Sequence, residues 1–307
     1  MSTDLPGSPV TPEIVMSAPD LRTRSTAAAY LALTKPRIIE LLLITTVPAM
    51  LLAAGAWPGA WILITTLIGG TLSAGGANAL NNYFDRDIDE VMRRTRGRPL
   101  ARHEVAPTNA LVFGICLGIA GFAWLWATTN LLAASISTAA LLFYVLVYTV
   151  ALKRSTTQNI VIGGAAGAAP VLVGWAAITG GIALPAWVLF FIVFYWTPPH
   201  FWALAIRYRE DYARAGVPML PVVVGVEATT RKMLLYTALM VGITLLLVPV
   251  AGMGWIYLLA AIGLGAWFLW DSWRVYLHPD EAMRLFTTST VYLAALFASV
   301  MLDVLIR

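Results

Sequence analysis

Long apolar stretches alternate with short polar ones along almost the whole chain. Nine of them stand out, over residues 38–57, 61–83, 108–128, 131–152, 158–179, 183–206, 233–252, 254–273 and 285–306. Each is long enough to cross a hydrocarbon core of about 30 Å as a helix. A backbone surrounded by lipid must satisfy its own hydrogen bonds, which selects helices over open strands. The pattern predicts an all-α integral membrane protein of about nine transmembrane helices. Two polar connections are long, 84–107 and 207–232, and loops of that length tend to carry function. They follow the second and sixth spans. That spacing fits a four-helix repeat, 38–152 and 158–273, plus a ninth helix.

Composition agrees with lipid as the main solvent. Of 307 residues, 59% are hydrophobic and only 12% charged, with a mean hydropathy of +0.78. A soluble domain of this length carries about 25% charge. Residues 1–30 are polar and lack a long apolar core, so they read as a disordered cytosolic tail before a single transmembrane domain, 31–307. With the N-terminus in the cytosol, 19 of the 20 Lys and Arg fall on the cytosolic side and only Arg307 lies opposite. Such asymmetry is what the positive-inside rule requires. It accounts for a pI near 9.3 without a nucleic-acid partner. The two long loops then cap the helix bundle on the cytosolic face. A single cysteine, Cys116, excludes a disulfide framework and reads as a buried packing residue. Gly163 and Gly167 have the small-xxx-small spacing that lets helices approach closely.

The informative stretch ends the second span: Asn78-Ala-Leu-Asn81-Asn82-Tyr83-Phe84-Asp85-Arg86-Asp87-Ile88-Asp89. Asn81, Asp85 and Asp89 are spaced four apart, so they drift only about 40° per step and share one helix face. Carboxylates at membrane depth are costly and normally face an interior cavity. Two of them one turn apart suit Mg²⁺, which takes one or two carboxylates and completes its shell with phosphate oxygens and water. An ion-bridged diphosphate is a good leaving group, because the metal offsets the charge that develops as the C–O bond breaks. The competing reading is a solvated helix end paired with Arg86, Arg93 and Arg94. Arg93, Arg94, Arg96, Arg98 and Arg102 follow within thirteen residues. They are either diphosphate clamps or topology determinants.

A second polar cluster ends the sixth span, where Pro198 and Pro199 precede His200, Arg207 and Asp211. His200 and Arg207 are seven apart and share a face, continued by Asp211. The prolines are expected to kink the helix. His103 and His278 lie in loops, so no histidine-cluster metal site is suggested. Lys35 and Arg37 precede the first span, and Lys153 and Arg154 follow the fourth, all on the side of the acids. Glu40 lies one turn inside the first span, and Asp303 is expected to reach the opposite interface.

At these residues the chain resembles the intramembrane aromatic prenyltransferase superfamily, and within it the protoheme IX farnesyltransferase branch, also called haem O synthases. The resemblance covers about residues 30–305. It rests on Leu33-Thr-Lys35-Pro-Arg37 and on Asn78 through Asp89 followed by Arg94-Thr-Arg-Gly-Arg98-Pro-Leu100. It rests also on Leu152-Lys153-Arg154 with Asn159-Ile-Val-Ile-Gly-Gly164, and on Pro198-Pro-His200-Phe-Trp-Ala-Leu-Ala205 through Asp211-Tyr212. The superfamily carries a second aspartate-rich motif at the end of the sixth span. Here His200 and Arg207 stand in that neighbourhood, with acids only at Glu210 and Asp211.

The resemblance implies transfer of a farnesyl group from farnesyl diphosphate to a vinyl carbon of haem b, with water supplying a hydroxyl. The product, haem O, serves terminal oxidases. Haem is then a substrate and Mg²⁺ the cofactor, and downstream haem-modifying or oxidase-assembly proteins are the expected partners. Asp85 and Asp89 are expected to hold Mg²⁺, with Asn81 orienting the diphosphate and Asn78 beside it. Lys35, Arg37, Arg93, Arg94, Lys153 and Arg154 are the candidate anion clamps. His200 and Arg207 are expected to position the porphyrin or its propionates, and Asp211 to hold the loop or a second ion. The setting is a bacterial plasma membrane or a mitochondrial inner membrane, with the site facing the cytosol. The rivals are a prenyltransferase for a quinone-precursor aromatic acid or chlorophyllide, and a transporter. A transporter predicts charges at mid-membrane on broken helices.

Overall fold

The computed structural model describes residues 24–307, and for residues 37–43 the backbone alone. The described chain is helical, with no strand. Its helices are α1 (Thr26–Thr34), α2 (Pro36–Ala54), α3 (Ala60–Phe84), α4 (Arg86–Val91), α5 (Pro107–Thr128) and α6 (Leu131–Leu152). They continue as α7 (Asn159–Thr179), α8 (Leu184–Arg207), α9 (Arg209–Arg214), α10 (Leu220–Val223), α11 (Val226–Ala251), α12 (Trp255–Leu277) and α13 (Ala282–Ile306). Eight of these are long and apolar enough to cross a membrane; of α2, the described apolar part is Ile44–Ala54. The apolar runs thus locate the long helices to within a few residues at most ends.

The differences have physical causes. Helix α11 begins seven residues before the apolar run at 233, because its charged first turns continue the helix beyond the apolar part. The two long connections carry α4, α9 and α10. Residues 26–30 were expected in the tail and instead open α1, whose N-terminus is capped by Ser25 accepting from the Ala28 amide. Cys116 is exposed on α5 and not buried, since in a membrane helix an apolar setting includes the lipid face. Asp303 is buried at the level of the short connection between α11 and α12. It accepts from the Gly254 and Tyr257 amides at 2.8 and 3.3 Å and pairs with Arg307, so it caps the N-terminus of α12.

Helices α2, α3, α6 and α7 form one closed circuit of contacts and α2, α7, α8 and α13 a second, the two sharing the close α2–α7 contact, with α5, α11 and α12 packed against their outer sides. Helices α3 and α5 touch through glycine. A Cβ built on Gly76 would lie 2.7 Å from the Gly114 carbonyl oxygen and 2.9 Å from the Gly118 nitrogen, both backbone atoms that cannot swing away. Gly76→Val is therefore expected to cost about 1–3 kcal/mol by forcing the helices apart. Thermal unfolding in detergent measures this. Gly242→Ala, where a Cβ meets nothing within 4 Å, serves as the unaffected control.

Candidate active site

The C-terminal half of α3 is polar yet buried, because it faces the interior of the bundle between α2, α6 and α7. Asn78, Asn81, Asn82, Asp85 and, on α4, Asp89 are all buried, Asp85 fully and Asp89 to 2% exposure. Helical hydrogen bonding runs through the junction, from the Asp85 amide to the Asn81 carbonyl and from the Asp89 amide to the Asp85 carbonyl, each 2.9 Å. The predicted stripe is therefore one continuous face. It is not a solvated helix end.

Two amides of the stripe hold α1. Asn78 Nδ2 donates to the Thr34 carbonyl at 2.9 Å, and Asn82 Nδ2 to the Leu33 carbonyl at 3.0 Å. They satisfy carbonyls that a helix C-terminus leaves without partners. The chain then turns at Lys35, which takes the left-handed φ of 54° that few residues other than glycine adopt. From this turn Lys35 Nζ donates to Asn81 Oδ1 at 2.6 Å.

Asn81 Nδ2 donates in turn to Asp85 Oδ2 at 2.8 Å and to Thr149 Oγ1 at 3.0 Å. Lys153 Nζ lies 2.5 Å from the same Asp85 oxygen. Arg98 Nη1 donates to both oxygens of Asp89 at 2.8 Å. Burial lowers the pKa values of Lys35 and Lys153, against which the nearby Asp85 and Asp89 carboxylates act. A charge taken out of water is retained only where such partners surround it.

Thr149 comes from the last ten residues of α6, Phe143–Leu152, which wind as a π-helix, and Lys153 caps their C-terminal end. The Lys153 amide bonds the Tyr148 carbonyl five residues back, at 2.8 Å. The wider turn brings Tyr144, Tyr148 and Lys153 to line the same space. Irregular turns of this kind are frequent at functional sites.

Above the acids, the stripe opens into a chamber of about 290 Å³ between α2, α3, α6, α7 and α8. Lys35, Asn78, Asn81, Arg94, Arg98 and Lys153 line its polar end. Its remaining walls are mostly apolar or small, including Gly70, Ala74, Gly167, Pro170 and Val173. Gly163 allows the close approach of α6, since a Cβ there would strike the Tyr148 ring, whereas one on Gly167 would meet nothing, so Gly167 serves no such contact. The aromatic wall of Tyr144, Tyr148, Trp196 and Tyr212 is unforeseen from sequence. The available signal was two tyrosines, four apart, ahead of Lys153.

Several expected site residues lie elsewhere. Arg154 forms a two-point pair with Asp87 at 2.7 Å and donates to the Phe84 carbonyl at 2.8 Å, outside the chamber. That pair holds the Asp87 carboxyl down at about 2 and raises Arg154. Adjacent residues on a helix point about 100° apart, so Lys153 and Arg154 cannot both face inward. Arg93 is exposed and outside the lining, whereas Arg94 lines the mouth, donating to Tyr212 Oη at 3.1 Å. The side chains of Arg37 and Glu40 lie outside the described residues.

His200 also lies outside the chamber lining. It is sandwiched between the Trp196 and Phe286 rings, both 4.3 Å away, with Nδ1 2.7 Å from Ser289 Oγ. It faces α13 and does not line the chamber, because helix periodicity fixes which residues share a face and not which neighbour that face meets. Arg207 is exposed, and Asp211 is buried against Arg214. Removing a core-packed ring costs about 2–5 kcal/mol. His200→Ala is therefore expected to lower the unfolding temperature while the folded fraction still binds a prenyl diphosphate by calorimetry. A loss confined to ligand binding would contradict the packing role.

Among the described residues no three His, Cys, Asp or Glu gather into a metal-binding group. The donor set is two carboxylates, and Asp85 Oδ1 is buried without a hydrogen-bond partner. Such an orphaned anionic oxygen is costly unless something binds it. A hard cation sharing its shell with phosphate oxygens fits that set, whereas an all-protein cage does not.

Comparison with known proteins shows the family and the fold. Protoheme IX farnesyltransferase 2 of Saccharopolyspora erythraea is 55% identical over 280 residues, covering 90% of this chain and 86% of that protein. Protoheme IX farnesyltransferase of Clavibacter michiganensis subsp. michiganensis is 53% identical over 283 residues, covering 91% and 92%. Two solved structures share the fold. One, a digeranylgeranylglyceryl phosphate synthase, has a TM-score of 0.76 at 17% identity, covering 92% of this chain and 99% of that one. The other, a UbiA homologue from Archaeoglobus fulgidus bound to DMAPP and Mg²⁺, has a TM-score of 0.62 at 16% identity, covering 88% and 98%. The model of the UbiA prenyltransferase family matches residues 42–300, and the chain belongs to that family.

Proposed function

We propose that this protein transfers a farnesyl group from farnesyl diphosphate to a vinyl group of haem b, giving haem O. The observation that carries the reading is one chamber with two unlike ends. Cations and amides line one end, with the buried Asp85 and Asp89 directly behind them on Asn81, Lys153 and Arg98, and a glycine-opened apolar space forms the other. A molecule with a highly charged head and a long hydrocarbon tail matches both ends. The names of relatives more than half identical over nine-tenths of the chain support haem b and farnesyl as the reacting pair.

Asp85 and Asp89 would hold Mg²⁺. The ion supplies charge neutralisation for the diphosphate as a leaving group. Lys35, Lys153, Arg94 and Arg98 present N–H donors to the phosphate oxygens, and Asn81 keeps Lys35 and Asp85 aligned. The C1–O bond breaks with its electron pair leaving on the diphosphate. The vinyl π electrons of haem b then form the new C–C bond. Hydroxide from water adds to the resulting cation and a proton is released. No protein nucleophile is needed. The chamber walls keep water from the allylic cation before the vinyl group reaches it. His200, Arg154 and Arg207 take no part.

The protein spans the membrane nine times, counting α2, with the polar end of the chamber towards the cytosol of a bacterial plasma membrane. The gathering of nearly all Lys and Arg at one end of the spans supports that orientation. The acids sit at helix ends beside basic loops and not at mid-membrane, which disfavours a transporter. The test is incubation of purified protein with haem b, farnesyl diphosphate and Mg²⁺. Mass spectrometry should find haem gaining one farnesyl group and one hydroxyl. Unchanged haem, with a quinone-precursor acid or chlorophyllide prenylated instead, would overturn the acceptor.

A further inference from the structure

The reaction above uses Lys35 after α1 and two arginines of the loop following α4, but it leaves the contact between α1 and that loop unexplained. A buried carboxylate makes that contact. The Glu104 side chain is only 8% exposed and lies between two guanidiniums, with Arg24 Nη1 3.1 Å from one oxygen and Arg102 Nε 3.1 Å from the other. The same Arg24 nitrogen donates to the Gly97 carbonyl at 3.1 Å, immediately before Arg98.

The loop is bent to deliver this acid. His103 takes a left-handed φ of 55°, unusual for a residue other than glycine and found mostly where surrounding contacts enforce it. The Glu104 amide then bonds the Pro99 carbonyl at 2.9 Å, and the His103 amide the Leu100 carbonyl at 3.1 Å. Leu100 and Val105 of the loop are buried with Ala29 and Leu33 of α1. At its other end α1 is held by Asn78 and Asn82 and leads into Lys35, bound to Asn81. One short helix therefore ties the arginine loop to the acidic stripe.

We infer that Glu104, through its bridge to Arg24, is a positioning residue that fixes residues 92–105 so that Arg94 and Arg98 stand ready for the diphosphate. The inference rests on the proposed use of those two arginines. Donors already in place need not be ordered when the ligand arrives, so the cost of losing the bridge falls on binding more than on the chemical step.

The test uses the full chain in detergent, with Glu104→Gln, Arg24→Met, the double variant and Arg24→Lys. Glu104→Gln and Arg24→Met should each raise KM for farnesyl diphosphate about tenfold with kcat within about twofold, because ordering of the loop is then charged to binding. Amide hydrogen exchange should accelerate over residues 92–105 and stay unchanged in α7 and α8. The double variant should be no worse than either single one, and Arg24→Lys should behave as the parent. Unchanged exchange in the loop with unchanged KM would overturn the inference. So would exchange accelerated throughout the bundle, which would make Glu104 a general folding residue. A parent chain that transfers no farnesyl group would sink the proposed function instead, and the loop exchange rates would still decide whether the bridge holds the loop.

Discussion

Asp85→Asn is expected to lower farnesyl transfer by at least about a thousandfold while leaving the bundle folded. The substitution keeps the side chain's size at a fully buried position. Two donors already point at one Asp85 oxygen, Asn81 Nδ2 and Lys153 Nζ. An asparagine there turns its carbonyl towards them and its NH₂ towards the position of the orphaned Oδ1. An anionic acceptor becomes a donor at the point where a cation is to be held. The cost in stability is limited to the weaker partner left for Lys153. Asp87→Ala supplies the contrast. Asp87 is 62% exposed and bonded to Arg154, so its loss removes a surface pair worth about 0–1 kcal/mol and leaves the chamber intact. Its activity should stay within about threefold of the parent, since no chamber contact changes. Initial rates of haem farnesylation, alongside thermal unfolding, measure both. Equal loss at Asp85 and Asp87 would mean that acidity near the membrane surface matters and the face does not.

The parts of the site legible in the sequence are those that one helix determines by itself. Asn81, Asp85 and Asp89 share a face because four-residue hydrogen bonding carries across the α3–α4 junction at Asp85, and periodicity alone predicts that face. Lipid makes long helices obligatory, so the apolar runs locate them. What the sequence hid depends on distant partners. Helix α1 spans nine residues, too short to persist alone, and is held by side chains more than forty positions away. The π-helical end of α6 has no compositional signature, yet it is what places Thr149 against Asn81 and Lys153 against Asp85. His200 reads as a substrate-positioning residue in the sequence because ionisable side chains within membrane spans are usually functional. Its partners, Phe286 and Ser289, come from the last helix, and no local pattern announces them.

Gly167→Leu is expected to reduce use of farnesyl diphosphate by about tenfold to a hundredfold while sparing dimethylallyl diphosphate. Helix α7 starts at the polar end of the chamber, where Asn159 Nδ2 donates to the Lys153 carbonyl at 3.4 Å. Gly167 lies eight residues further along, about 12 Å deeper at the rise of an α-helix. Gly163 and Gly164 come earlier but are closed off by Tyr148 and Thr197, whereas a Cβ on Gly167 would enter open space. A single isoprene unit anchored by its diphosphate ends short of that depth, and a three-unit chain passes it. Leucine also favours helix over glycine, so loss of the longer donor would not reflect a weakened α7. Competition between the two donors for one acceptor, read by product mass, gives the ratio directly. Equal loss for both would show that the substitution disturbs the polar end. An unchanged ratio would place the hydrocarbon tail along some other wall, and the chamber would then have to be assigned to the acceptor.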